Sequence, residues 1–173
     1  MKPKIIIVDP NDNIVDYKER ESLAPDDIYR VSALWITNSK GEILLARRHH
    51  TKTHYPNKWG PAASGTVDEG ETYEINMIKE VGEELGLNNV PLTLGPKIKV
   101  DGMYHHFTQW YTLQIDKNID EFTFQKDEVE EIKWFTKEEL LDQLKNNPTE
   151  FLPTMKTYFD LFNPNYLQTF LLK

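Results

Sequence analysis

Gly65–Leu87 reads GTVDEGETYEINMIKEVGEELGL, and the organisation of the chain follows from this stretch outward. From Thr72 to Leu85 apolar residues recur at helical spacing. At about 100° per residue, Ile75, Ile78, Val81 and Leu85 fall on one stripe, which predicts an amphipathic helix with that stripe on a core. Thr72 is suited to cap the helix, Glu71 and Glu74 suit its positive N-terminal end, and Gly86 suits its C-terminal stop. Gly82 lies on the same stripe. Glycine inside a helix costs about 1 kcal/mol relative to alanine, so close backbone approach is expected there.

Glu80, Glu83 and Glu84 fall on roughly the opposite face, at i, i+3 and i+4. Like charges so placed repel by about 0.2–0.5 kcal/mol per pair. A hard divalent cation converts that repulsion into coordination, and carboxylates are the ligands Mg²⁺ prefers. Lys79 sits one turn before Glu83 and is expected to pair with it. Taken alone, the three glutamates read first as a solvated acidic face.

The wider spacing favours the metal reading. It resembles the Nudix box: Gly, five residues, Glu, seven residues, then Arg-Glu-hydrophobic-any-Glu-Glu-any-Gly-hydrophobic. Gly65, Glu71, Glu80, Val81, Glu83, Glu84, Gly86 and Leu87 all match. Six of these are strict positions. At about 7% each, chance gives on the order of 1 in 10⁷ per starting point, too rare to be a coincidence in a chain this short. One position departs: the family's Arg, which orients a catalytic glutamate, is Lys79 here. An ammonium cannot hold a carboxylate with two parallel bonds as a guanidinium does.

The resemblance implies an α/β fold, an α/β/α sandwich with a mixed sheet. It implies a hydrolase that cuts a diphosphate bond in a small-molecule substrate. Glu80, Glu83 and Glu84 would hold one or more Mg²⁺ ions, or Mn²⁺ in their place, with the Gly65 carbonyl as a further ligand. Glu83, Glu84 and Lys79 would serve catalysis. The general base varies across the family between a box glutamate and one from a later loop. Glu128, Glu130 and Glu131 are the later candidates, and Glu128 is preferred because it should precede a strand.

The flanking sequence supports that architecture. Ile5–Val8, Val31–Thr37, Glu42–Arg47, Lys97–Val100, Tyr104–Ile115 and Val129–Phe135 read as strands, with turns at Pro10–Asn13 and Asn38–Gly41. Lys137–Lys145 and 150–162 read as helices. Arg47 and Arg48 end a strand that should approach the site, where one can bind a substrate phosphate; neighbouring strand residues face opposite ways, so both should not. Tyr55, Trp59, Tyr104 and Trp110 suit either stacking on substrate or the core, with the core favoured for the tryptophans. The five histidines show no metal-ligand spacing and read as surface or structural residues.

Composition narrows the classes. The 173 residues suit one domain, 1–173. A formal net charge of -8 argues against gripping a nucleic acid. With no cysteine, disulfides, zinc–thiolate sites and a Cys nucleophile are excluded. Four apolar residues near the N-terminus are too few for a signal peptide or a membrane span, so a cytoplasmic protein with no membrane partner is expected. The apolar stretch Tyr166–Leu172 suits packing on the core or on a second subunit, so a homodimer is a further expectation.

Outside the box, several segments resemble one branch of the superfamily, the isopentenyl diphosphate isomerases. They are Ile6-Ile7-Val8-Asp9, Trp35 before Lys40-Gly41, Leu45-Ala46-Arg47-Arg48, Pro56-Asn57-Lys58-Trp59 and Asp127-Glu128-Val129. The isomerase Cys aligns with Ser64 and a following His with Thr66, and no His precedes His49. Proton transfer at carbon needs such an acid–base pair. Three readings therefore stand: a diphosphate hydrolase of the isomerase-like branch, an isomerase opposed by Ser64 and Thr66, and a non-catalytic diphosphate binder to which Lys79 points.

Overall fold

The computed structural model describes residues 3–164. The stretch Tyr166–Leu172, with the homodimer expectation drawn from it, lies outside the described residues. Nine strands form one mixed sheet: β1 (Lys4–Val8), β2 (Ile14–Glu19), β3 (Ile28–Thr37), β4 (Ile43–Arg48), β5 (Trp59–Pro61), β6 (Ala63–Thr66), β7 (Thr93–Val100), β8 (His105–Gln114) and β9 (Val129–Phe135). The helices are α1 (Tyr73–Leu85), α2 (Lys137–Asn146) and α3 (Met155–Phe162).

β3 is the spine. β8 runs parallel to it along its whole length, from Ile28↔His105 to Thr37↔Gln114. The other edge of β3 is shared by three antiparallel partners in succession: β1 at Ile28–Tyr29, β6 at Val31–Leu34 and β4 at Ile36–Thr37. β4 carries the pairing onward to β5 and β9. Because strand residues alternate between faces, β3 sorts its side chains into two cores. Leu34 and Ile36 pack with Met77, Val81 and Leu85 of α1. Ala33 and Trp35 pack with Leu140 and Leu144 of α2 and Met155 and Phe159 of α3. Both faces are thus covered by helices, which is the α/β/α sandwich the sequence predicts.

α1 begins and ends as expected. Thr72 Oγ1 accepts the Ile75 amide at 3.1 Å, and Gly86 closes the helix in the left-handed conformation at φ 65°. A side chain on Gly86 would also meet the Thr123 carbonyl at 2.6 Å, so the position excludes other residues twice over. The buried line of the helix differs from the expectation. It runs through Asn76, Met77, Val81 and Leu85, while Ile75 and Ile78 are 54% and 56% exposed. The helix is rolled by about one residue, because Asn76 turns in to meet the buried Ser32 of β3. Gly82 makes no close approach either: a Cβ there would meet nothing nearer than Asn88 Oδ1, at 3.4 Å.

Two further segments depart from the sequence reading. The stretch after the 49–58 loop forms the short strands β5 and β6. The last helix starts at Met155 rather than 150, because Phe151 bridges to Trp59 and the Leu152 amide donates to the Trp59 carbonyl at 2.9 Å. That extended pairing competes with helix, and Leu152 precedes Pro153, which disfavours the helical region.

The roll of α1 is directly testable. Asn76→Ala should destabilise the protein by about 2–3 kcal/mol in urea unfolding, because Ser32 and the Thr66 carbonyl lose a buried partner. Ile78→Ser should change stability by no more than about 0.5 kcal/mol. The reverse order would place Ile78 in the core and refute this packing.

Candidate active site

The site forms where the C-terminal half of α1 crosses β6. Asn76 is its organising residue. The Ser32 hydroxyl donates to Asn76 Oδ1 at 2.5 Å, and Asn76 Nδ2 donates to the Thr66 carbonyl at 3.1 Å and to Glu71 Oε2 at 2.8 Å. The same Nδ2 reaches Glu80 Oε1 at 3.4 Å. One buried amide therefore joins β3, β6, the loop before α1 at Glu71 and the helix itself at Glu80.

Glu80 lies directly beneath Gly65. A Cβ on Gly65 would collide with the Glu80 side chain, so Glu80 keeps this inward position only while residue 65 is glycine. Burial pushes the Glu80 carboxyl up to about 7, against the pull of Lys79, with the charges of Glu83, Glu71 and Asp68 adding to the rise. Glu84 accepts the Ser64 amide at 2.9 Å. Burial pushes it up to about 8, the Glu80 charge adds to that, and the Ser64 bond, Arg48 and Lys52 oppose it. Glu83 is exposed on the same face. The two inward glutamates are thus held with too little positive charge beside them to keep both comfortably ionised. A divalent cation drawn in among these oxygens would supply the charge the residues lack, and the donors are all oxygen, the kind hard cations take.

Lys79 does not pair with Glu83 as expected. Its Nζ donates to Glu71 Oε1 at 2.6 Å and lies 3.4 Å from Asp68 Oδ2 and 3.9 Å from Glu80 Oε1. The loop before α1 folds back under the helix, so its acids reach Lys79 while Glu83 faces solvent.

Beside the box, a cleft is lined by Arg47, Arg48, Pro61, Ser64, Glu84 and Glu128. Arg48 Nε donates to the His54 carbonyl at 3.0 Å, and its charge acts on Glu84. Arg47 is tied elsewhere, donating to the Asn57 carbonyl at 3.2 Å and lying 3.7 Å from Glu150. Of the two arginines, the structure points to Arg48 as the one beside the box. Glu128 is bonded by the Lys52 ammonium. Burial, then the Arg48 charge, lowers the Lys52 pKa. Tyr55 stands apart from the cleft, at φ 50°, with its ring edge-on to Tyr104 at 6.3 Å; the Tyr104 hydroxyl lies 2.7 Å from His54 Nδ1. Trp59 and Trp110 are buried in the core behind α3. His106 is half-buried beside Tyr29, and loss of solvent there pushes it down to about 4.

Sequence reasoning missed Asn76 and Lys52. A polar residue at a core position of an amphipathic helix was the available signal for Asn76. Lys52 carried none, since only the loop path brings it to Glu128.

The arrangement is a cluster of glutamates gathered against a glycine-bearing strand of an α/β/α sandwich. The NUDIX domain family model matches residues 28–155, and the chain belongs to the Nudix family. It is 34% identical over 136 residues to an uncharacterized Nudix hydrolase of Listeria monocytogenes, covering 77% of each chain. It is 29% identical over 154 residues to a prenyl-diphosphate phosphatase of Methanosarcina mazei, covering 86% of this chain and 88% of that one. Among solved structures, DR0079 of Deinococcus radiodurans superposes with a TM-score of 0.73 at 24% identity, over 83% of this chain and 90% of that one, a likeness of fold.

The raised glutamates set a pH dependence. Their carboxyls ionise near 4.5 when unfolded and near 7 and 8 when folded. The native state therefore holds extra protons in that interval, and stability falls as pH rises through it. His106 acts oppositely, costing stability as pH falls from 6.5 toward 4. Metal-free protein should lose melting temperature between about pH 6.5 and about pH 8. Glu84→Gln should flatten that slope, and added Mg²⁺ should abolish it; a slope unchanged by both would show that these carboxylates are not its source.

Proposed function

We propose that this chain is a Mg²⁺-dependent hydrolase, with Mn²⁺ able to substitute, that cleaves a diphosphate bond in a small molecule. The observation that carries the reading is the pair Glu80 and Glu84, turned inward against Gly65 and Ser64 with their charges under-compensated. Glu80, Glu83, Glu84 and the Gly65 carbonyl would hold the metal. A bound Mg²⁺ supplies positive charge that offsets the diphosphate and polarises it toward attack by water. The remaining work belongs to the chain. Arg48 lines the cleft, placed to take a phosphate oxygen. Glu128, steadied by Lys52, is placed on the cleft wall to accept a proton from the attacking water. Lys79 braces Glu71 and Glu80 by point charge, a less directional hold than the two-pronged grip of an arginine.

For the organic group, the relative named prenyl-diphosphate phosphatase puts prenyl diphosphates at the head of the candidates, ahead of nucleoside triphosphates, sugar nucleotides and dinucleotides. The isomerase-like segments point the same way, while Ser64 and Thr66, standing where that branch has its Cys and His, argue against proton transfer at carbon.

The test is a panel of these compounds with and without Mg²⁺, reading released phosphate or pyrophosphate. Turnover should need metal and should fall about 100-fold or more in Glu83→Gln, a loss on the scale of the charge stabilisation a metal provides. Lys79→Arg should retain or raise the rate. If no compound turns over while diphosphates raise the melting temperature in Mg²⁺, the chain is a binder. Deuterium entering an allylic diphosphate from solvent would make it an isomerase.

A further inference from the structure

A second group of metal-type ligands lies outside the box. β4 ends at Arg48, and His49 and His50 follow it into the 49–58 loop. On the neighbouring strand β9, pairing jumps from Arg47↔Glu131 to Arg48↔Val129, which leaves Glu130 as the unpaired residue of a bulge. A bulge re-aims the side chain it carries. Here it swings Glu130 beyond the end of β4, onto the two histidines. The His49 amide donates to the Glu128 carbonyl at 3.0 Å, which holds the start of the loop in place against β9.

The three side chains converge on one point. His50 Nδ1 lies 3.0 Å from Glu130 Oε2, and His49 Nε2 lies 3.5 Å from that same oxygen. The two imidazole rings are 4.0 Å apart between centroids. Among the described residues, this is the group of three or more His and carboxylate side chains whose donor atoms all lie within 4.8 Å of one another. A tetrahedral ion with arms of ~2.0–2.1 Å needs donors about 3.3 Å apart, a value that falls between the two nitrogen–oxygen spacings. The Thr51 amide donates to His49 Nδ1 at 3.3 Å, and Thr51 Oγ1 lies 2.8 Å from the same nitrogen, so the ring is held with Nε2 turned toward Glu130.

The geometry points to a binding site for a borderline divalent ion, Zn²⁺ first, formed by His49, His50 and Glu130 with solvent in the fourth position. Two imidazoles and one carboxylate favour Zn²⁺ over Mg²⁺, which prefers oxygen donors alone. No α1 residue takes part, so the site is separate from the box and stands independently of the hydrolase reading. Its effect is mechanical. An ion there clamps the start of the 49–58 loop to β9, the loop that delivers Lys52 to Glu128.

Zn²⁺ titrated calorimetrically into the full chain, with Mg²⁺ in excess to occupy the box, should reveal one equivalent. Co²⁺ used as the probe should give the intense visible bands of a tetrahedral site. His50→Ala and Glu130→Gln should each weaken Zn²⁺ at least ~10-fold. Glu83→Gln should leave it unchanged. His50 is exposed, so its removal should not disturb folding, and an unaltered circular dichroism spectrum would confirm that. No Zn²⁺ uptake above the Mg²⁺ background overturns the proposal. So does uptake that survives His50→Ala but disappears with Glu83→Gln, because the ion would then be entering the box.

Discussion

Two carboxylates held side by side in a partly buried place impose the demands that the rest of this structure meets. Burial raises the cost of each charge, and proximity raises it again. Left to local preference, Glu80 and Glu84 would turn outward, as Glu83 does. They turn inward because backbone and side-chain groups are arranged to receive them: the Ser64 amide for Glu84, the Asn76 amide for Glu80, and an open space where Gly65 has no Cβ. The folded chain therefore stores an unfavourable arrangement at one spot, as functional sites commonly do, with stability supplied by the two cores around it.

Those cores owe their separation to β3. Its alternating residues feed one face to α1 and the other to α2 and α3, and the edge away from β8 is divided among β1, β6 and β4. The division matters for the site. It brings β6, with Gly65 and Ser64, beside the strand on which Ser32 sits, so one hydrogen-bonded chain from Ser32 through Asn76 sets the height and roll of α1. The same alternation separates Arg47 from Arg48. The Arg48 charge acts on Glu84, while Arg47 is occupied by the Asn57 carbonyl and Glu150.

The lysine in place of the family's arginine becomes intelligible in this setting. A guanidinium would fix a carboxylate through two parallel bonds. Lys79 instead sits among three acids, with its short contact to Glu71 and longer ones to Asp68 and Glu80. It neutralises the group without dictating one geometry, and part of the orienting task passes to Asn76, which touches Glu71 and Glu80 from the other side.

Much of this was legible in the linear chain. The box spacing marked Gly65, Glu80, Glu83 and Glu84 as candidates, and the Thr72 cap and Gly86 stop bounded α1, because these depend on contacts within a few turns of chain. The strands were legible from their β-branched runs, apart from β2, which is polar beyond Val15, and β5 and β6, which are too short to show a period. Tertiary structure alone decided the roll of α1, since Ile75 and Ile78 are as apolar as Met77 and only the buried Ser32 selects Asn76 as the inward residue. It alone decided that Lys79 serves Glu71, that Lys52 reaches Glu128, and that a bulge carries Glu130 to His49 and His50. Each of these joins residues whose meeting depends on strand register and loop path, and spacing along a sequence carries no record of either.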